Sequence, residues 1–349
     1  MTRFHYGLLC LALLLAAILP APGVSGETLR VLAWPGYADP DVVKTFEQRT
    51  KSKVEVTVID SDDVLWQKVS QGNAADFDVF AVNTAELQRY IRQGLVLPIN
   101  TAALPNLSRQ LPGFRNLDAI PGVVHEGKVF AIPYTYAEMG LIYDRQQIKD
   151  APDSIAALWD PRYRGKVLVF NDGTHNFSLA AQALGISTPF LLGDQDWPAI
   201  VNQLIALRRN VLTFYAQPDE SVDLFKSRRA ALMLANYGSQ QLQLMKAAGV
   251  DAAYVIPREG ALAWLDCWTI TRGVRNKALA EAWINYLLEE KPGEVLRTRQ
   301  GLDNTTSPSP HHHAGDNLIW LEPVENVERR NSLWKRIMSG DRVSKVLAP

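Results

Sequence analysis

Trp264 and Asp266 sit two residues apart in the apolar run Trp264–Thr271. Along a strand, residues i and i+2 point to the same face, so this spacing sets an indole beside a carboxylate. An acid turned toward a core needs a partner; a ligand amine is one answer and an internal ion pair the other. A second pair of rings, Trp34 and Tyr37, flanks Gly36 in Leu29-Arg-Val-Leu-Ala-Trp-Pro-Gly-Tyr37. There a short apolar strand runs into a loop just ahead of a helix start at Asp39-Pro40. The carboxyl ends of strands are where open α/β sheets place ligand contacts. Two rings at that point suggest a site built from ring faces, with core packing as the plainer alternative. Asp172, beside Gly173, reads as a turn or helix-capping acid or as a site residue, and His175 follows three positions later.

Other combinations carry less chemistry. His125 and Glu138 hint at acid–base work, but no nucleophile is placed beside a base. His311–His313 are three adjacent imidazoles in a Pro-rich loop. They cannot all reach one ion in good geometry, and no acid–His spacing supports them. Cys267 reads as a small buried hydrophobe. No cofactor or metal is expected.

The elements that must position these residues follow from patterning. Met1-Thr-Arg-Phe-His and the apolar run Leu8–Leu19 match the n- and h-regions of a secretory signal, and Val24-Ser25-Gly26 offers a small-residue cleavage site after Gly26. The run is too short for a membrane span. Beyond it the sole cysteine is Cys267, so no intramolecular disulfide can form. Formal charge is −1, with no basic stripe, which argues against nucleic acid or an anionic membrane as partner. A composition 47% hydrophobic allows a sizeable core. Strand-like Leu29–Ala33, Lys53–Ile59 and Asp78–Val82 alternate with helical Asp41–Thr50, a helix capped by Ser61 or Asp62, and one capped by Thr84. This order predicts a mostly parallel sheet flanked by helices. Lys128–Pro133 and Met139–Tyr143 read as paired strands around a turn at Tyr134–Glu138. A second series follows, with strands at Lys166–Phe170, Ala230–Ala235, Ala252–Ile256 and Trp264–Thr271, and helices at Asn176–Leu184, Trp197–Arg209, Ser221–Ser227, Ser239–Ala248 and Asn276–Glu289, then a last helix around Asn331–Ser339. Two α/β series imply two lobes and a cleft, a preferred place for a small molecule.

Several landmarks then occur in order: Trp34-Pro-Gly-Tyr37, Phe46–Val54, Asp76-Phe-Asp-Val-Phe-Ala-Val-Asn83, Gly94-Leu-Val-Leu-Pro-Ile, Phe130-Ala-Ile-Pro-Tyr134, Met139-Gly-Leu-Ile-Tyr143, Ile256-Pro-Arg-Glu-Gly260 and Trp264-Leu-Asp266. Each is weak alone, but as an ordered series the chain resembles the periplasmic solute-binding proteins of polyamine-type ABC transporters over roughly residues 29 to 340. The resemblance implies a two-lobed periplasmic binding protein fold closing on a ligand, no enzymatic activity, a membrane ABC permease as partner, no membrane insertion and a monomer. It implies lobe one from 27–135 plus about 262–305, and lobe two from about 136–261 plus 306–349. An Fe³⁺ binder of the same superfamily would need paired Tyr ligands, and no Tyr-Tyr pair occurs.

In that family the pocket is an aromatic box with carboxylates at its ends, suited to a protonated amine. Carried over by position, Trp34, Tyr37 and Trp264 match box aromatics, Asp266 an ammonium-binding carboxylate, and Asn83 a polar contact. There are departures. Gly36 stands where an acid often precedes the Tyr; Asn236 and Ser239 stand where a Trp and an Asp are usual; and the loop with Asp172 continues with His175 and Asn176 where diamine binders carry acids. The resemblance therefore implies a polyamine such as putrescine or spermidine. The departures leave open an ω-amino acid such as γ-aminobutyrate or 5-aminovalerate, an acylated polyamine, or a periplasmic sensor instead of a transport subunit. Ser239, Asn236, Asn83 and His175 offer groups for a carboxylate. Arg145 and Arg258 are candidates for that role by sequence proximity alone.

Overall fold

A computed structural model describes residues 26–309 and 317–348. The apolar leader and His311–His313 lie outside the described residues. The first strand, Thr28–Ala33, is buried along nearly its whole length. It pairs in parallel with Lys53–Val58 on one side and Val79–Asn83 on the other. Asp39 accepts the Asp41 N–H at 3.0 Å and Pro40 opens the helix Pro40–Thr50, where the missing proline N–H costs nothing. Val42 and Phe46 turn inward from it. Phe46 meets the edge of Trp283, at 5.1 Å between centroids, and Trp283 meets Trp268 at 6.1 Å. This stack fixes the long strand Ala261–Thr271 against the helix Lys277–Leu287.

The first sheet runs Asp303–Asn304, Ala131–Glu138, Ala261–Thr271, Val79–Asn83, Thr28–Ala33, Lys53–Val58. Leu318–Trp320 and Val96–Leu97 also pair with the long strand. The second sheet runs Val211–Tyr215, Val167–Phe170, Leu232–Leu234, Leu141–Asp144, Ala252–Val255. Both are mixed, where element order predicts mostly parallel pairing. Each parallel βαβ series meets strands that cross over from the other sheet, and these arrive antiparallel.

The expected pair of strands around Tyr134–Glu138 does not form. Ala131–Glu138 is one continuous strand, and Leu141–Asp144 belongs to the other sheet. Met139 and Gly140 are thus a crossing between lobes, pinned by Tyr254, whose hydroxyl donates to the Glu138 carbonyl at 2.9 Å and accepts from the Gly140 N–H at 3.0 Å. A second crossing follows Val255. The last falls after Trp320, because Leu318–Trp320 is a strand of the first sheet; the segment 306–320, placed by sequence in lobe two, is not wholly there. Val211–Tyr215 and the helix Glu290–Gln300 are further elements that patterning passed over.

The closing helix Val327–Met338 docks on the second lobe. The fully buried Arg330 pairs with Glu325 at 2.7 Å and donates to the Thr174 carbonyl at 2.9 Å and the Ser178 hydroxyl at 2.8 Å. It ties the end of the chain to the loop bearing Asp172 and His175. Among the described residues no helix is long and apolar enough to cross a membrane.

Candidate functional site

A cavity of about 370 Å³ lies between the two sheets. From the first lobe it is walled by Trp34, Tyr37, Asp62, Asp63, Asn83, Trp264 and Asp266. From the second come Phe170, Asp172, His175, Asn236 and Tyr237, and from the closing helix Asn331, Trp334, Lys335 and Met338.

The turn after the first strand is built around Gly36, whose φ of +87° suits a residue without a Cβ. It swings Tyr37 under the strand ends. There Tyr37 is fixed by a Tyr134 hydroxyl donating to its carbonyl at 3.1 Å and by an edge contact with the Tyr134 ring at 5.7 Å. Its own hydroxyl donates to Asp266 Oδ2 at 2.5 Å. Asp266 sits opposite Asn83 in the antiparallel ladder. It is 5% exposed, and no cation pairs with it among the described residues. Burial pushes its carboxyl up to about 7, against the opposing pull of the Tyr37 hydrogen bond. Trp34 donates to the Ala81 carbonyl at 3.2 Å and Trp264 to the Asn236 carbonyl at 2.7 Å, the latter spanning the cleft. Each indole N–H is used by protein, leaving ring surface for a ligand.

Asn83 has a structural duty. Its Oδ1 accepts the Glu86 N–H at 2.9 Å as the cap of the helix Thr84–Arg92, and its Nδ2 donates to both oxygens of Asp62 at 3.3 Å. Asn83→Ala should lower stability by about 1 kcal/mol, as loss of a helix cap does, in denaturant unfolding monitored by circular dichroism.

On the opposite wall, Asp172 holds the turn that leads into the helix His175–Ala183. Its Oδ1 accepts from the N–H of Thr174 at 2.6 Å and of His175 at 3.2 Å. Its Oδ2 meets His175 Nδ1 at 2.5 Å. The turn reading of Asp172 is what these backbone hydrogen bonds show, and its carboxylate also lines the cavity. Burial opposes the protonated imidazole, but the charge and hydrogen bond of Asp172, with Asp62 and Glu86 across the cleft, outweigh it and raise His175 to about 9. The same pairing, against burial, holds Asp172 below the usual carboxylate range. Gly173 is a close-approach position: a Cβ there would stand 2.3 Å from Asn331 Oδ1, so the closing helix rests on it.

Of the nine residues singled out by sequence, the fold brings eight to this cavity: Trp34, Tyr37, Asn83, Asp172, His175, Asn236, Trp264 and Asp266. Ser239 is the exception. Its hydroxyl donates to the Gly301 carbonyl at 2.5 Å, because the turn at Gly238 points it at the helix end of the first lobe. Asn236 contributes a backbone carbonyl to Trp264, and Tyr237, the next residue, supplies a ring to the wall. Arg145 and Arg258 do not line the cavity; they pair with Asp251 and with Asp153 on the surface.

Sequence reasoning missed Asp62 and Asp63. Ser61 accepts the Val64 N–H at 3.3 Å and opens the helix Asp62–Ser70; acids are ordinary in a first helical turn, so nothing local marks these two as cavity groups. Asp62 is driven well above the usual carboxylate range by burial and then by Glu86, with His175 opposing. Asp63 accepts from Asn331 Nδ2 at 2.9 Å and links the lobes, as does an exposed ion pair of Arg89 with Glu328 at 3.1 Å. Asn331, Trp334, Lys335 and Met338 recur at helical spacing on one face, the one available signal for them.

Chemically, then, the cavity offers rings and four carboxylates, Asp62, Asp63, Asp172 and Asp266. It is suited to holding an amine. Residues 41–293 match bacterial extracellular solute-binding proteins. The chain belongs to that family. Among individual members, it is 26% identical over 323 residues to spermidine/putrescine-binding periplasmic protein 1 of Haemophilus influenzae, covering 91% of this chain and 80% of that one. In fold, this solute-binding protein is similar to the TpPotD lipoprotein of Treponema pallidum, with a TM-score of 0.74, 17% identity and coverage of 90% and 98% of the two chains. It is also similar to a GABA receptor, with a TM-score of 0.66, 14% identity and coverage of 92% and 98%. Both likenesses support the two-lobed binding-protein architecture.

Proposed function

We propose that this protein is an exported receptor that captures a cationic amino compound and delivers it to a membrane ABC permease. Polyamines of the putrescine and spermidine kind are the first class to test. The observation that carries the reading is Asp266. It is a buried carboxylate among Trp34, Tyr37 and Trp264, without a protein cation as partner among the described residues. A buried lone charge is costly, and an ammonium in the ring-walled cavity would neutralise it while the rings take up cation–π contact. The apolar leader and the periplasmic relative support export, and the name of that relative supports the ligand class. A monoamine with an acceptor at its far end is the second reading, favoured by the His175 imidazole in the opposite wall.

Thermal unfolding of ligand-stripped protein tests this with putrescine, cadaverine, spermidine, N-acetylputrescine, γ-aminobutyrate and 5-aminovalerate. A ligand at about 100 times its Kd adds roughly 2.7 kcal/mol, which raises Tm by several degrees at this size. No shift with any amine would overturn the reading.

A further inference from the structure

We propose that His175 is a cation built into the cavity wall, standing where a diamine would place its second ammonium. The site would accordingly select compounds with one ammonium, seated at Asp266, and a hydrogen-bond acceptor or carboxylate at the far end. This inference rests on the ammonium role of Asp266.

The geometry of the second wall supports it. His175 is 6% exposed, and its Nδ1 is committed to Asp172 at 2.5 Å. Its Nε2 is buried and has no hydrogen-bond partner among the described residues, although the residue lines the cavity. A buried N–H donor without an acceptor costs about 1–3 kcal/mol, a penalty that a ligand oxygen would remove. With both ring nitrogens protonated a ligand ammonium could not do so, since it has donors alone, whereas on a neutral ring protonated at Nδ1 the Nε2 atom would accept from it. The groups that face this imidazole are Asp172 from its own helix turn, Asp62 from the helix that opens after Ser61, and Glu86 from the helix after Asn83. Of these three acids, Asp172 is the one in contact with the imidazole, and it thus already has a protein cation. A second ammonium would have to enter beside an imidazolium, and like charges at close range in a dry site repel strongly.

Lys335 adds an independent pointer. It lines the same cavity from the closing helix, and its ammonium has no ion-pair partner among the described residues. Basic groups thus come from the second lobe, while Asp62, Asp63 and Asp266 come from the first. Asp172, the remaining acid, is neutralised by His175 and by two backbone N–H groups. Such a cavity has acids on one wall and basic groups on the other with rings between them, and matches a ligand that is polar at both ends. The compounds of that description are ω-amino acids and N-acylated diamines. They share an ammonium and differ in the charge of the acceptor.

Calorimetry on the full-length mature protein with 5-aminovalerate, N-acetylputrescine, putrescine and cadaverine separates these cases. Wild type should bind one of the first two at least about tenfold more tightly than either diamine. His175→Glu, which replaces the built-in cation by an acid, should reverse that order by about tenfold or more, a specificity switch made by exchanging attraction for repulsion. His175→Gln should weaken the acceptor-bearing ligands without creating diamine preference. Preference for 5-aminovalerate would assign a carboxylate to the far end, and preference for N-acetylputrescine a neutral carbonyl. Putrescine or cadaverine binding tightest to wild type, with the order unchanged in His175→Glu, would overturn the inference. The Asp266 reading would survive that result, because it fails separately, if Asp266→Asn leaves every affinity unchanged. Should the His175 variants not fold, ¹⁵N NMR of wild-type imidazoles decides. Both His175 nitrogens should carry protons at neutral pH in the complex, and a neutral ring would overturn the proposal.

Discussion

Asp266→Asn should weaken amine binding by about 2–5 kcal/mol, the range for removing one partner of a desolvated charge pair. The reason is local. Asp266 is buried, accepts a 2.5 Å hydrogen bond from Tyr37, and has no protein cation beside it among the described residues. A bound ammonium would be its counter-charge. The amide keeps the shape and can still accept from Tyr37, so a loss of affinity reports charge and not collapse. The same substitution should leave the ligand-free protein at least as stable as wild type, because it removes a buried group whose ionised form is penalised. Calorimetry and thermal unfolding measure the two effects on one sample. Equal affinity in wild type and variant would exclude the ammonium role.

The second large effect is pH dependence. With Asp266 at about 7 in the ligand-free cavity, an ammonium must displace its proton when the pH is lower. Affinity should therefore be level just above pH 7 and fall about tenfold, about 1.4 kcal/mol, for each unit below it. Asp266→Asn should abolish that slope. Stability of the ligand-free protein runs with the opposite sign. The folded carboxyl binds its proton more tightly than the unfolded one, whose ordinary value is 3.8. Stability from this group is present at low pH and is lost as pH rises from about 4 through 7. His175, raised from 6.5 to about 9, adds a contribution that is full below 6.5 and is lost as pH rises through 9. Ligand-free protein should thus unfold more easily toward alkaline pH, while the complex gains affinity between pH 5 and 7. Titrations across pH 5 to 9, with and without ligand, check both slopes. Affinity that stays level from pH 5 to 7 would contradict the assignment of Asp266.

Much of this was legible in the chain because it depends on short-range rules. The i, i+2 spacing of Trp264 and Asp266 survives in a strand that begins three residues earlier than patterning placed it. The turn at Gly36 and the cap at Asp39 follow from residue type alone. Asn83, expected as a polar contact of the pocket, ends a strand beside the cavity, and its polar atoms also cap a helix and hold Asp62.

What escaped shows where local reasoning stops. Asp62 and Asp63 had a complete explanation as helix-start acids, so nothing marked them as cavity groups until parallel pairing set the Lys53–Val58 and Val79–Asn83 strand ends on either side of Thr28–Ala33. Ser239 lies three residues after Asn236, but the backbone reversal at Gly238 sends its hydroxyl to Gly301. Asn331, Trp334 and Lys335 lie far along the chain from Asp172 and reach it because Arg330 anchors their helix to the Thr174 carbonyl. The sequence by itself determined the strands, caps and turn glycines and the pairing of ring with acid, since each arises from backbone sterics and side-chain alternation within a few residues. Tertiary structure alone decided that acids of one lobe would face an imidazole and a lysine of the other. Charges separated along the chain interact by their distance in space, and that distance is set by how two mixed sheets close on each other.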